Sequence, residues 1–292
     1  GYRQFSFNYQ RLALQDLEVV LSIEGKTGKS LSSQSKNRIK NSAWLMYQCQ
    51  DESGDMPNYG NNDGALVFPV TSCGYRDFKP VINTVYALST GKQLYEHGIH
   101  QEELSWFSGS KSLDEYATEN GERESSQFVD AGLFTIRGDR SWAMVVSNDY
   151  SSRPGHMDQQ HFDLWIEGVN VFSDAGTYSY ASEEGRKLVR NESHNTAVVK
   201  GLQQMNSSGP FMIYDWTKRE LIKCNDNSYA GKCVSENGYY HSREVCLSKT
   251  TYEIVDKCDR DYSILYYTPC EIQKSDGGLV LKSNGKVLCM LK

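Results

Sequence analysis

Two histidines and an aspartate within residues 155–201 are the side chains whose types and spacing could do chemistry. His156 and His194 lie near opposite ends of this stretch, with Asp174 between them. The surrounding segments, H-F-D-L-W-I-E, N-V-F-S-D and N-T-A-V-V-K, have the alternation of strands. If these strands pair antiparallel, the three side chains converge at one end of a sheet, where they could bind zinc or a similar divalent ion. Spacing alone leaves open that the histidines are ordinary buried residues.

Three short motifs follow one another in this stretch: H-M-D from His156, D-A-G-T-Y-S-Y from Asp174, and S-H-N-T-A-V-V-K-G around His194. In this order they resemble the C-terminal half of the heparinase II/III-like family, which includes polysaccharide and alginate lyases. The resemblance implies that His156, Asp174 and His194 hold a structural divalent metal, zinc in preference to calcium. It also implies that Tyr180 is a tyrosine of the catalytic cleft.

One position departs from the family pattern. Many relatives read H-x-H-x-D, with the first histidine catalytic and the second a metal ligand, but here Pro154 occupies the first position. Either the catalytic histidine has been lost and tyrosines take over its acid and base roles, or His156 is catalytic and the metal assignment is wrong. We therefore keep both a catalytic and a metal-ligand prediction for His156.

A second resemblance concerns the loop M-P-N-Y-G-N-N-D-G, residues 56–64. Related lyases have N-N-H-G or P-x-x-G-x-x-D at the end of a helical toroid, where an asparagine faces the sugar carboxylate. On this match Asn62 takes the asparagine position, and Asp63 stands where some relatives have histidine. The following turn, which contains Tyr75 and Arg76, resembles a second segment that lines the cleft. Asp63 and Arg76 are therefore predicted to bind substrate.

The chemistry of such a lyase places clear demands on these side chains. A uronic acid has an acidic proton on C5, and its removal requires a base and neutralisation of the adjacent carboxylate. Asn62 could hydrogen-bond the carboxylate, and Tyr75 is the preferred base, with Tyr116 as the alternative. A free tyrosine has a pKa of about 10, so the base would need a nearby cation such as Arg76.

Composition limits the function classes. The chain has 292 residues, a net charge of −6 and no basic block, which argues against nucleic-acid binding. No apolar run approaches the ~20 residues that span a bilayer. The nineteen tyrosines suit either a sugar-binding cleft or ordinary strands. The eight cysteines contain no C-x-x-C pair, so a cysteine-type zinc site is not expected. They could form disulfides in an exported protein or remain thiols in a cytosolic one.

Sequence periodicity predicts helices first and strands second. Helical spacing covers Tyr9–Leu21, Ile39–Tyr47, Val81–Leu94 and His100–Phe107, and Asp63 could cap a further short helix through Phe68. Residues 108–127 are polar and are interpreted as a linker. Strands follow, beginning with a hairpin over residues 132–146, and no clear helix is expected among them.

These patterns predict an α+β protein with a helical segment over 1–107, a linker over 108–127 and an antiparallel β-sandwich over 128–292. By resemblance, the helical segment is the end of an incomplete (α/α) toroid, and the chain is the C-terminal part of a longer one. We interpret the protein as an enzyme, a polysaccharide lyase that cleaves an acidic, uronate-containing glycan by β-elimination. The alternative is a non-catalytic glycan-binding relative in bacterial surface-polysaccharide production. A hydrolase ranks lower because no carboxylate pair stands out. A periplasmic or secreted location is favoured over the cytoplasm.

Overall fold

The computed structural model describes residues 4–119, 121–209 and 211–292. The chain forms two compact units. Unit 1 comprises Gly1–Met56 and Asn61–Arg123, and unit 2 comprises Pro57–Gly60 and Glu124–Lys292. Within the described residues, no helix is long and apolar enough to cross a membrane.

The helices of unit 1 begin and end at residues suited to those positions. Ser6 and Ser32 accept hydrogen bonds through their side chains from backbone N–H groups of the first turns of α1 and α2. Gly28 ends α1 in the left-handed conformation, and Pro80 lies in the first turn of α3. The four helices predicted before residue 108 are therefore confirmed, and their bounds are α1 Phe7–Thr27, α2 Ser33–Gln48, α3 Lys79–Thr90 and α4 Gln101–Phe107.

The buried face of α1 contains charged as well as apolar residues. Phe7, Leu14 and Leu21 are buried at helical spacing. Arg11 and Glu18 occupy the same stripe and are just as buried. A buried charge is costly unless it is paired. Arg11 donates hydrogen bonds within unit 1, whereas the neighbour of Glu18 is a second acid, Glu103.

The prediction of a helix after Asp63 is wrong, because residues 61–66 form no regular structure. The carboxylate of Asp63 accepts from the Ala65 backbone N–H at 3.0 Å, and Asn62 Oδ1 accepts from the Gly64 N–H at 2.7 Å. These local side-chain bonds give the backbone an alternative to a helix.

Residues 108–123, within the predicted linker, form part of unit 1. They include a short 3-10 turn, Leu113–Glu115, and the two-residue strand β2 Ala117–Thr118, which pairs in parallel with β1 Lys92–Gln93. Tyr116 is buried against Ala87 and Leu104.

Unit 2 is built of antiparallel sheets. One sheet has the order β3-β4-β5-β6-β7, a second has β11-β12-β13-β14, and a third has β16-β17-β18, while β8 pairs with β15 and β9 with β10. The hairpin predicted over residues 132–146 is β4–β5. The strands are, in chain order, β3 Ser126–Phe128, β4 Leu133–Arg137, β5 Ser141–Val146, β6 Phe162–Ile166, β7 Val169–Phe172, β8 Ala197–Val199, β9 Asn206–Ser207, β10 Ile213–Tyr214, β11 Lys218–Asn225, β12 Ser228–Ser235, β13 Tyr239–Ser248, β14 Thr251–Cys258, β15 Tyr262–Ile264, β16 Glu271–Ser275, β17 Gly278–Ser283 and β18 Lys286–Leu291.

The sheets of unit 2 share one apolar core. Phe134 and Phe162 of the first sheet pack with Tyr229 and Val245 of the second and with Leu281 of the third. Alternate residues of β12 and β13 face this core, as expected where one sheet covers another. The predicted α+β class with an antiparallel sandwich is therefore confirmed.

One helix lies where none was expected. The short helix α5, Glu183–Leu188, follows the D-A-G-T-Y-S-Y turn, and the side chain of its N-cap Ser182 accepts from the Gly185 N–H. Six residues are too few to show helical periodicity, so the sequence pattern missed it.

Candidate metal centre and polar loop

Three segments of unit 2 bring His156, Asp174 and His194 together. His156 lies in the loop between β5 and β6, Asp174 follows β7, and His194 precedes β8. Their ligand atoms lie within 4.8 Å of one another, and all three side chains are buried. The ligand set predicted from the sequence therefore converges, although the residues lie beyond the strand ends and not within the strands.

The hydrogen bonds at this cluster leave two ring nitrogens unused. His194 Nδ1 donates to Asp174 Oδ2 at 2.8 Å, and Asp174 Oδ1 accepts from the Gly176 N–H at 2.7 Å. His156 Nε2 lies 3.3 Å from Thr177 Oγ1. His156 Nδ1 and His194 Nε2 are buried and have no hydrogen-bond partner among the described residues. Two orphaned imidazole nitrogens beside a carboxylate fit the donor set of a zinc ion.

The pKa values of the two histidines shift in opposite directions. Burial, and then the neighbouring His194, lower the pKa of His156 to about 3, so His156 is neutral at physiological pH. Burial alone would lower the pKa of His194, but the Asp174 carboxylate outweighs it and the net shift is upward. Burial would raise the pKa of Asp174, but His194 and His161 bring it well below its usual range. A neutral imidazole and an ionised carboxylate are the protonation states that bind metals.

Two residues that the sequence did not assign lie against this cluster. The Nδ1 atom of His161 lies 3.6 Å from Asp174 Oδ2 and accepts from the Asn195 N–H at 3.0 Å. Asp158 is also buried, and burial raises its pKa. The signal for His161 was its position, as the third histidine of the same short stretch.

An ion pair on the second sheet includes an arginine that bonds to the backbone beside the histidine cluster. Arg243 on β13 binds the Asp256 carboxylate on β14 through two nitrogens, at 2.8 and 3.1 Å. It also donates to the backbone carbonyls of Gln160 at 2.6 Å and Asn195 at 2.7 Å. These carbonyls adjoin His161 and His194 in the chain, so Arg243 fixes the backbone next to two cluster residues.

In unit 1, Asn62 and Tyr75 lie side by side. The Tyr75 hydroxyl is 2.9 Å from Asn62 Oδ1 and 2.8 Å from Asn8 Oδ1. Arg11 donates to Asn8 Oδ1 at 2.8 Å and to the Tyr75 carbonyl at 2.6 Å. Its guanidinium lies 4.2 Å from the centroid of the Tyr75 ring and 4.6 Å from that of Phe78. Tyr75 and Arg11 also line a cavity of about 120 Å³.

The cation beside Tyr75 is thus Arg11, which the sequence reasoning missed, whereas Arg76 has other partners. Arg76 pairs with the Asp55 carboxylate at 2.5 Å and donates to the Met56 carbonyl. Asp63 is exposed and accepts from the Tyr9 hydroxyl at 2.9 Å. The alternative base, Tyr116, is buried, and burial raises its pKa, which disfavours a phenolate there.

Tyr180 lies at the end of the turn that begins at Asp174. Gly176 adopts a φ of +71°, a backbone conformation in which a residue with a side chain would be strained. The Tyr180 ring lies 5.0 Å from the Phe211 ring in an edge-on contact. Tyr180 is only partly buried, so it remains open to contact with a ligand.

Known proteins share this fold. Residues 120–263 match the family model "Heparinase II/III-like, C-terminal", which confirms the resemblance found in the motifs. No curated protein sequence matches the chain. A solved heparinase III superposes with a TM-score of 0.67 at 17% identity, over 96% of this chain and 43% of its own. Heparan sulfate lyase HepC from Pedobacter heparinus gives 0.61 at 15% identity, over 87% and 38%. Another heparinase III gives 0.64 at 14% identity, over 97% and 45%. The chain thus spans less than half the length of these structures.

Proposed function

Because residues 120–263 match the C-terminal domain of the heparinase II/III-like family, we propose that the protein is a polysaccharide lyase acting on an acidic, uronate-containing glycan. Unit 1 would then be the end of an (α/α) toroid, as the resemblance implies. The relatives named heparinase and heparan sulfate lyase support this substrate class. A periplasmic or secreted location would give such an enzyme access to its polymer.

The observation that carries this proposal is the 2.9 Å contact between the Tyr75 hydroxyl and Asn62 Oδ1. This contact supports the proposal because the candidate base would have beside it an amide that could bind the uronate carboxylate. Tyr75 as phenolate would take the C5 proton, and Asn62 would stabilise the negative charge that develops on the carboxylate. The C4–O bond then breaks, a C4–C5 double bond forms, and the leaving oxygen takes a proton from an acid.

The remaining predicted residues have narrower roles in this proposal. Tyr180, on the partly exposed turn of unit 2, is proposed as a further catalytic tyrosine. Asp63 and Arg76 are proposed to contact the glycan, Asp63 by accepting from sugar hydroxyls. Because His156 is fully enclosed, its geometry favours the ligand role over proton transfer.

We also propose that His156, Asp174 and His194 hold a structural zinc ion. When bound, zinc would tie together three segments of unit 2 and fix the turn that leads to Tyr180. Elemental analysis of dialysed protein tests this proposal, and one zinc per chain is expected. His194→Ala should abolish the binding. Protein that holds no zinc after equilibration with the ion would overturn the assignment.

The lyase proposal is tested by the ultraviolet absorbance of unsaturated uronate after incubation with acidic polysaccharides. Tyr75→Phe should lower the rate at least about 100-fold, because a proton-transfer group is lost. Tyr9→Phe is the matched control, since it also removes one tyrosine hydroxyl bonded to the same loop. Equal rates for the two variants would refute the assignment of Tyr75 as the base.

Pro154 favours a second candidate function, a glycan-binding relative without lyase activity. The first histidine of the family pattern is missing there, and no histidine replaces it within two residues apart from His156. Binding of an acidic glycan with no unsaturated product, across a broad panel of polysaccharides, would select this alternative.

A further inference from the structure

Exposed aromatic and cationic side chains meet on unit 2 beside the turn that contains Tyr180. The Phe211 ring is 46% exposed and touches Tyr180. The Arg153 guanidinium lies 5.4 Å from the centroid of the Phe211 ring and donates to the Phe211 carbonyl at 2.9 Å. We call Arg153, Tyr180 and Phe211 the aromatic platform. None of the three is needed for the sandwich core.

The backbone on each side of the platform is fixed. Helix α5 packs so closely on the turn that a Cβ at Gly185 would lie 1.7 Å from the Ser179 carbonyl oxygen. The β9–β10 pair and the bond from the Ser208 N–H to the Met212 carbonyl hold the hairpin that contains Phe211. Arg153 directly precedes the buried Pro154. The platform therefore presents its groups without large rearrangement, which reduces the entropy cost of binding.

The chemistry of the platform fits an anionic sugar. Aromatic rings offer an apolar face that can stack on the C–H face of a pyranose. A guanidinium has five N–H donors, and Arg153 uses one for Phe211, so others remain for a planar carboxylate. Among the described residues, no carboxylate forms an ion pair with Arg153. Among the described residues, a guanidinium without a carboxylate partner thus lies beside two aromatic rings in edge-on contact, a combination that suits a uronate.

We propose that Arg153, Tyr180 and Phe211 form a subsite for one uronate residue of an acidic glycan. Arg153 binds the carboxylate of this residue, and the two rings contact its apolar face. The subsite rests on the proposed function for its substrate class, but it requires binding alone and no cleavage. It also gives unit 2 its own means of selecting charged over neutral glycans.

The test measures binding by calorimetry in a Tyr75→Phe background, so that no cleavage interferes. The probes are alginate and heparan sulfate oligosaccharides, with neutral cello-oligosaccharides of equal length for comparison. Arg153→Gln and Phe211→Ala should each lower the affinity for the acidic probes about tenfold, as expected when one strong contact is lost. Phe211→Trp should keep the affinity, since it keeps an aromatic ring.

Arg140→Gln is the matched control, because Arg140 lies in the β4–β5 turn and pairs with Glu167, away from the platform residues. Unchanged affinity in Arg153→Gln, or an equal loss in Arg140→Gln, would overturn the subsite. No binding of either acidic probe would overturn it as well. If Phe211→Ala instead dissolves a protein oligomer and leaves the glycan affinity intact, the platform is a protein contact. Binding that depends on the platform, with no unsaturated product from the parent protein, keeps the subsite and rejects the lyase.

Discussion

The polar side chains around Tyr75 in unit 1 and those around Asp174 in unit 2 are bonded in different ways. In unit 1 the Tyr75 hydroxyl, Asn8 and Arg11 bond to one another within 2.8 Å. In unit 2, His156 Nδ1 and His194 Nε2 are buried without a partner anywhere in the described ranges. One group of side chains is closed on itself at a partly exposed loop, and the other is open in the interior.

This difference indicates different kinds of ligand. A buried polar atom without a partner costs about 1–3 kcal/mol, so a fold retains two of them only where another interaction compensates. A metal ion that binds the lone pairs of both nitrogens would compensate for this cost. A closed network at an exposed loop needs no further partner, but it holds its side chains in fixed directions. Such an arrangement suits a substrate that arrives and leaves.

The largest expected effect is that zinc stabilises unit 2 and leaves unit 1 nearly unchanged. At a free zinc concentration about 1,000 times the dissociation constant, binding to the folded state alone raises the free energy of unfolding by about 4 kcal/mol. Hydrogen exchange of chelator-treated and zinc-loaded protein resolves the two units. We expect slower exchange at residues 155–162, 172–178 and 191–199, and no change at residues 7–27.

Asp174→Asn is the matched variant for this experiment, because it keeps the shape of the side chain and removes its charge. The zinc effect should largely disappear in it. Equal protection of both units, or protection that persists in Asp174→Asn, would show that the cluster is not the binding site.

The next largest effect concerns the support of the cluster by Arg243. Arg243→Met should lower the free energy of unfolding by about 3–5 kcal/mol, because Asp256 keeps only His241 as a partner and the carbonyls of Gln160 and Asn195 lose their donor. Urea unfolding measures this loss. The double variant Arg243→Met, Asp256→Leu should recover much of the stability but not the zinc affinity, because the bond to the Asn195 carbonyl beside His194 is still missing.

Arg219→Met is the control for Arg243, since Arg219 also donates to two backbone carbonyls, those of Val129 and Ser147. It should cost less stability and leave the zinc affinity unchanged. If the double variant binds zinc normally, Arg243 only stabilises the sandwich and does not position His194.

Sequence patterns predicted those features that depend on local order. The periodicity of α1 and the turn between β4 and β5 are encoded within short windows, so both were predicted correctly. The convergence of His156 and His194 was also predicted. The order of the motifs indicated which strands pair, and this pairing brings the two histidines together. Asp63 misled us because an aspartate that caps a helix and one that closes a turn have the same local signature.

The features that could not be predicted depend on tertiary partners. Arg11 and Glu18 lie on the same stripe as Leu14, and a helical pattern shows the stripe but not what pairs with a charge in it. The contact of Arg11 with Tyr75 joins residues 64 positions apart. A charged residue at a core position of a helix is nevertheless a usable signal, because such a residue must either find a partner elsewhere or shift its pKa towards the neutral form.

Arg11→Lys tests whether the closed network of unit 1 depends on the guanidinium. Lysine keeps the charge but loses the planar group that stacks on Tyr75 and binds Asn8. We expect a loss of about 1–2 kcal/mol, with faster hydrogen exchange at residues 62–78. Arg123→Lys is the matched control, because Arg123 likewise stacks on a tyrosine ring and donates to the Tyr47 carbonyl. Equal exchange at residues 62–78 in both variants would mean that Arg11 does not hold this loop.

The smallest expected effect comes from Glu18, the other charge in the stripe of α1. Both carboxyl oxygens of Glu18 are buried without a hydrogen-bond partner in the part of the chain that the structure describes. Burial, and then the neighbouring Glu103, raise the pKa of Glu18 well above its ordinary value of 4.5. The pKa of Glu18 is therefore higher in the folded protein than in the unfolded chain. The stability of unit 1 that depends on a protonated Glu18 is fully present below the unfolded pKa and is lost as pH rises through the folded pKa.

Glu18→Gln should therefore flatten the pH dependence of the unfolding free energy of unit 1 above about pH 5. At pH values above the folded pKa it should stabilise unit 1, by about 1.4 kcal/mol for each pKa unit of the shift. Hydrogen exchange at residues 7–27 measures the change. Asp16→Asn, which removes an exposed carboxylate of the same helix, should keep the parent dependence. If Glu18→Gln keeps it as well, the carboxyl of Glu18 is compensated in the folded protein.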